Sequence, residues 1–325
     1  MQRRHLLTAA ALGATCLLPA AVQAQDPANW PTRPVRMLVG SAPGGGTDAM
    51  ARAVADRLAP LLKQPVLVEN RPGVSNTMAV DVTAKSTDGH TMVMGVVTAH
   101  AIAPHLLKLG YDNNKDLVPV AFVGSVPNVL VVGNSVPANS VAELVALAKK
   151  QPGQINFASS GTGSTQHIAA EVFKDAAGIA ITHVPYKGSA GALVDLVSGQ
   201  VQMSFDTMPS VIGQIKAGKL RALAVTSPQR NPQLPQVPTM AEAGLPSVAI
   251  SAWYGIYMPA ATPKAVQQKV HDEVNKVIAM PETKSRLEAV GAELRPMSQP
   301  DFGAFHLAEY QRFGEIIRKN DIKLD

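Results

Sequence analysis

The chain has 325 residues, with 29 Lys and Arg against 24 Asp and Glu, a formal charge of +5 that becomes +3 once Arg3 and Arg4 are set aside. The basic residues are scattered and aromatics make up only 4%, so the footprint of a nucleic-acid binder is absent and no such partner is expected. The single cysteine is Cys16 in the leader, which excludes disulfides, a thiolate metal site and a cysteine nucleophile from the rest of the chain.

Arg3 and Arg4 precede an apolar run, Leu6 to Ala21, that ends in Val22-Gln23-Ala24. Positive start, short apolar stretch and small residues read as an export signal over 1–24, cleaved near Ala24. Arg3-Arg4-His5-Leu6-Leu7 also fits a twin-arginine route, which leaves the export path open. Thr15 before Cys16 disfavours a lipid anchor, so a product free in the periplasm is expected. No later apolar run is long enough for a membrane span. About 300 residues remain, long for one core, and two lobes are expected.

The organising stretch is Ser41-Ala42-Pro43-Gly44-Gly45-Gly46-Thr47-Asp48. It joins a predicted strand, Val35 to Val39, to a predicted helix, Ala49 to Leu62, whose Ala53, Val54, Leu58, Leu61 and Leu62 form one apolar stripe. Free N–H groups at such a helix start, together with the helix dipole, favour an anion. Strand Val66 to Val68, helix Asn76 to Lys85 and strand Thr91 to Gly95 continue the alternation. That rhythm predicts a parallel α/β sheet with helices on both faces and a ligand at the strand carboxyl ends.

Leu117 to Val126 and Asn128 to Val132 read as two strands separated by Pro127. Ser140 can cap a helix through Lys150. Strand Ile155 to Ala158 then ends in a second small-residue turn, Ser159-Ser160-Gly161-Thr162-Gly163-Ser164, before a helix from Thr165 to Ala176. Ile181 to Val184, a helix Ser189 to Val197, Val201 to Phe205 and Leu220 to Val225 follow. Ser227 to Pro246 is proline-rich and reads as an ordered loop. Trp253 to Pro259 can carry the chain back to the first lobe, and helical patterns fill Pro263 to Met280, Pro281 to Val290 and Gln299 to Ile317.

Gly44, Gly46 and Ala49 fit G-x-G-x-x-A, with Glu69 at the ribose-binding distance. Export argues against a nicotinamide cofactor, and Asp48 is badly placed for a pyrophosphate, so no cofactor is expected. The second turn lacks a phosphate-loop Gly-Lys-Ser/Thr ending and has Gln166 at the third glycine position. His167 beside the serines is not part of a G-x-S-x-G elbow, and the histidines show no metal-ligand spacing. Asp48 has a first-turn helix role or a ligand role open to it. Asp206, at a strand end, can cap the next helix or meet a polar ligand group.

These pieces in this order resemble the Bug, or TctC-like, family of extracytoplasmic solute-binding receptors of tripartite tricarboxylate transporters. The resemblance runs through Trp30-Pro31, Pro43 to Asp48 with Ala51-Arg52, Glu69-Asn70-Arg71-Pro72-Gly73 and Asp88-Gly89. It continues through Ser159 to Ser164 with His167, Val184-Pro185-Tyr186-Lys187-Gly188, Lys216 to Ala224, Pro238-Thr239, Glu242-Ala243-Gly244, and Trp253 with Gly255. It implies a two-lobed, type II-like periplasmic binding protein with a ligand cleft between lobes. The lobes would be 25–126 with 251–325, and 127–250. The ligand would be a small carboxylate held by loop amides and hydroxyls, often through water, and delivered to membrane transporter subunits.

Carried over by position, the contacts would be Ala42, Pro43, Gly46, Thr47 and Asp48 in the first lobe. Ser160, Gly161, Thr162, Gly163, Ser164, His167 and Asp206 would serve in the second. One loop departs from the family pattern: Val74-Ser75-Asn76-Thr77-Met78-Ala79 stands where Ala-Gly-Gly-Asn-Ile-Gly is usual. If that loop lines the cleft, Ser75 and Thr77 join the contacts and ligand identity does not carry over. A monomeric binding protein, not an enzyme, is expected. A receptor for a signalling partner and a secreted enzyme using His167 or Asp206 are the alternatives.

Overall fold

The computed structural model describes residues 29–323 except 45 and 290. The expected leader, 1–24, lies outside the described residues. The first strand, β1 (Val35–Val39), is buried over most of its length. It feeds α1 (Gly46–Leu62), which turns Met50, Ala51, Val54, Leu58 and Leu62 to the core. Then come β2 (Val66–Asn70), α2 (Thr77–Ala84) and β3 (Thr91–Val96).

A helical stretch that periodicity does not reveal follows, a π turn Thr98–Ile102 running into α3 (Ala103–Leu106). Ala99, His100, Ala101 and Ile102 are all buried there, and a segment buried all round carries no amphipathic signal. Next is β4 (Leu117–Gly133), 17 residues in one piece. The two strands expected on either side of Pro127 are one. Pro127 stands where β4 exchanges one set of partners for another, so its missing N–H interrupts no ladder.

The second series is α4 (Val141–Lys150), β5 (Asn156–Ser159), α5 (Thr165–Ala177), β6 (Thr182–Pro185), α6 (Ser189–Ser198), β7 (Met203–Thr207), α7 (Met208–Lys216) and β8 (Leu220–Val225). The Ser140 hydroxyl accepts from Glu143 N–H at 3.1 Å and caps α4. The chain returns through β9 (Ser251–Pro259) to α8 (Lys264–Ala279), α9 (Pro281–Ala289) and α10 (Gln299–Lys319).

The strand order is β2-β1-β3-β9-β4-β7-β5-β6, with β8 also paired to β4. The sheet is mixed rather than purely parallel. β1 pairs parallel with β2 and β3, and β5 with β6 and β7. β9 runs antiparallel to β3 and β4, and β4 runs antiparallel to β7 and β8. A chain that leaves one half-sheet along β4 and re-enters along β9 must cross the junction once in each direction, which puts those two strands antiparallel.

The register locates the site. The carboxyl end of β3 meets β9 at Val96↔Tyr254, and Tyr254 pairs with Gly124 of β4. From the other half, β7 ends at Asn128↔Thr207 and β8 at Val129↔Val225. The carboxyl ends of both sets of parallel strands therefore converge on one short stretch of β4, residues 124–129. Both small-residue turns leave strands that end toward this crossing.

β9 alternates around it. Trp253, Gly255 and Tyr257 face α10, where Trp253 Nε1 donates to Glu309 at 3.2 Å and Phe302 closes on Gly255. Tyr254, Ile256 and Met258 face the opposite side, as a period of two requires. Among the described residues no helix is long and apolar enough to cross a membrane.

Candidate functional site

The first turn stands out from the protein surface at Ala42, Pro43, Gly44 and Gly46, while Thr47 and Asp48 are buried beneath it. Gly45 is not described. Asp48 anchors the loop. Its Oδ2 accepts from Gly44 N–H and from Arg52 Nε, both at 2.9 Å, and its Oδ1 accepts from Asn70 Nδ2 at 2.8 Å. Asn70 also donates to Ser41 O at 3.0 Å and accepts from Arg52 at 3.1 Å. Burial works against the charged carboxylate, but the hydrogen bonds from Arg52, Gly44 and Asn70 outweigh it and hold the Asp48 pKa below its usual value. Asp48 is thus placed as a pin behind the turn rather than as a surface pointed at a ligand.

Glu69 does not offer the free carboxylate of a dinucleotide site. Arg36 donates to its two oxygens at 2.8 and 2.9 Å. This hydrogen-bonded pair pulls the Glu69 pKa down against the desolvation.

The altered loop lies beside the first turn. Ser75 has φ 50° and ψ 32°, and Asn76 has φ 65° and ψ 9°, two successive non-glycine residues in the left-handed region. Asn76 packs against Gly40 so closely that a Cβ on Gly40 would stand 2.4 Å from Asn76 O. Its side chain donates to Thr98 Oγ1 at 3.0 Å instead of capping α2. Three loops at the carboxyl ends of β1, β2 and β3 are joined in this way. Ser75 is half-buried and Thr77 buried.

The second turn is built on two glycines in conformations that L residues rarely adopt, Gly161 at φ 130° and Gly163 at φ 76°. Ser160, Gly161, Thr162 and Ser164 are half-buried, and Gly163 is buried. Ser164 caps α5 by accepting from His167 N–H at 3.3 Å. His167 sits behind the turn. Its Nδ1 accepts from Gly163 N–H at 3.2 Å, its ring stacks on His183 at 4.0 Å, and Nε2 lies 3.8 Å from Glu171. His183 bonds Ser159 Oγ at 2.7 Å. The stack fixes the backbone of Ser159 to Gly163.

Asp206 is buried at the end of β7. Its Oδ1 accepts from Ser189 Oγ at 2.9 Å, Gln166 Nε2 at 3.2 Å and Thr207 N–H at 2.7 Å. No cation pairs with it among the described residues, and burial raises its pKa despite these donors. Gln166 and Ser189 escape sequence reasoning as members of this cluster. The only hint is Gln166 itself, a long amide where a fingerprint has glycine, and its amide reaches across to another helix start.

Two surface hollows, of about 440 and 560 Å³, lie elsewhere. They flank α10 and share Asn114. Neither is lined by a residue of either turn. The donor-rich helix starts at the strand ends, where α/β sheets place their ligands, mark the site instead. Among the described residues no group of three or more His, Cys, Asp or Glu is arranged to hold a metal ion.

The chain is 37% identical over 302 residues to BugT of Bordetella pertussis, covering 91% of this chain and 92% of that protein. The structure of Rpa4515 of R. palustris with adipate is 35% identical, with TM-score 0.81, and covers 91% of this chain and 100% of that one. MatC of Rhodopseudomonas palustris with bound malate is 30% identical, with TM-score 0.77, covering 89% and 100%. The family is one of solute-binding receptors rather than enzymes, and its structures share this α/β fold. Residues 50–322 match the model of the tripartite tricarboxylate transporter family receptor, TctC, and the chain belongs to that family.

Proposed function

We propose that this protein is a periplasmic receptor that captures a small organic acid between two lobes and delivers it to the membrane subunits of a tripartite transporter. The lobes are 25–126 with 251–325, and 127–250. Carboxylate binding is the family's habit, as with the adipate-bound and malate-bound relatives. The observation that carries the reading is that the two donor-rich turns leave strands β1 and β5, whose parallel neighbours β3 and β7 both end at the crossing marked by residues 124–129 of β4.

In the proposed site the first lobe presents Ala42, Pro43, Gly46 and Thr47, with Ser75 and Thr77 beside them. The second presents Ser160, Gly161, Thr162, Gly163 and Ser164 above Asp206. Asp48 and His167 hold the two turns in shape. An anion here is met by backbone N–H groups, hydroxyls and the ends of α1 and α5, not by an arginine clamp, because Arg52 is spent on Asp48 and Asn70.

The test is a thermal-shift and calorimetric screen of linear dicarboxylates and hydroxy acids, adipate and malate included. A ligand at 100 times its dissociation constant adds about 2.7 kcal/mol, a rise of roughly 5 °C. A flat screen at millimolar concentration sinks the proposal.

A further inference from the structure

The Tyr254 side chain is 6% exposed, and it leaves β9 on the face opposite α10. Its hydroxyl reaches the start of α1, where a Cβ added to Gly46 would stand 3.4 Å from the Tyr254 oxygen. Thr47, the next residue of α1, is also 6% exposed. Among the described residues neither hydroxyl has a hydrogen-bond partner. Neither oxygen is among the fully buried side-chain atoms left without a partner, so both keep access to solvent and to a ligand. Tyr257 on the other face of β9 differs, its hydroxyl lying 3.0 Å from His306 Nδ1.

Two unbonded hydroxyls on largely buried side chains therefore lie at the positive end of a 17-residue helix. The acid nearest to them, Asp48, is neutralised by Arg52 at 2.9 Å. Gly46 itself is exposed, so a ligand arriving from solvent can reach this corner. The sheet holds Tyr254 from both sides, against Val96 of β3 and Gly124 of β4. The hydroxyl is thus pre-positioned on the strand that joins the two half-sheets.

We infer that Tyr254 is a ligand-binding residue, its hydroxyl donating to one carboxylate of the bound acid beside the Thr47 hydroxyl and the first N–H groups of α1. This rests on the carboxylate reading above. Burial pushes the Tyr254 pKa up to about 12, so the hydroxyl keeps its proton across the physiological range. Gly46 belongs to the same device, because a methyl group there would crowd the space the carboxylate needs.

The experiment is isothermal titration of purified wild type, Tyr254→Phe and Gly46→Ala with a panel of linear dicarboxylates that includes adipate and malate. Loss of one charge-assisted hydrogen bond is expected to weaken binding by about tenfold or more in Tyr254→Phe, with the unliganded melting temperature preserved. Gly46→Ala is expected to weaken binding to a similar degree, and it decides the matter if Tyr254→Phe fails to fold. Affinities within twofold of wild type in the folded variants overturn the role of Tyr254 and leave carboxylate binding intact. Wild type that binds none of the acids at millimolar concentration overturns the carboxylate reading and this inference with it.

Discussion

Ser75 and Asn76 occupy positions where the family pattern has two glycines, yet their backbones keep the left-handed angles glycine would supply. Asn tolerates that region through its short polar side chain, and Asn76 gains a bond to Thr98. Ser75 has no comparable compensation, and strain of this kind is characteristic of functional loops. Ser75→Gly removes roughly 1 kcal/mol of strain and adds back part of it as unfolded-chain entropy. A net stabilisation of about 0.5 kcal/mol is expected from urea unfolding. A destabilised Ser75→Gly would mean that the serine side chain itself supports the loop. Asp48 teaches a related lesson. Its partners Gly44, Arg52 and Asn70 spend both carboxylate oxygens on the turn, so an acid at a site edge serves by shaping it.

β4 is the element on which both half-sheets hang, and its junction is closed by a buried polar stitch. Thr226 Oγ1 accepts from Asn128 N–H at 2.9 Å and lies 3.1 Å from Asn128 O and 2.7 Å from Ile250 O. Asn128 Nδ2 donates to Ile250 O at 2.9 Å. Three segments that cross between the halves are tied at one point. Thr226→Val keeps the shape but removes the hydroxyl, leaving Asn128 N–H without its acceptor in a dry site. An unfolding cost of about 2 kcal/mol is expected. A loss below about 0.5 kcal/mol in chemical denaturation would show that the backbone pairing alone holds the junction.

Acid sensitivity arises from the packing of the molecule as a whole. His100 is fully buried, stacks on Tyr257 at 3.8 Å and bonds Asn113 at 2.8 Å. His306 bridges Tyr257 and Asn114. Burial lowers their pKa values from 6.5 to about 3 and about 4 respectively. The unfolded chain takes up protons at both positions below pH 6.5, while the folded one does not until about 4 and 3. Stability is therefore present above the unfolded value and falls with pH between these limits, by about 1.4 kcal/mol per pH unit for each histidine. Urea titrations at pH 7 and pH 5 should show that slope, and His306→Gln should reduce it by about one proton. An unchanged slope in His306→Gln would contradict the neutral burial of that ring.

Local chemistry wrote much of this protein into its sequence. Strand β1, the turn glycines, the Ser140 cap and the apolar stripe of α1 depend on neighbours within a few residues, and they stand where periodicity and capping rules put them. The family followed from motif order for the same reason. Other features depend on residues far apart in the chain. The union of β4 across Pro127, the mixed strand directions, the Asp48–Asn70 clasp, the Gln166–Asp206 bond and the meeting of Tyr254 with Gly46 were decided by tertiary structure. Hydrogen bonds and burial act over a few ångströms of space, and no period or spacing records which distant residues will share that space.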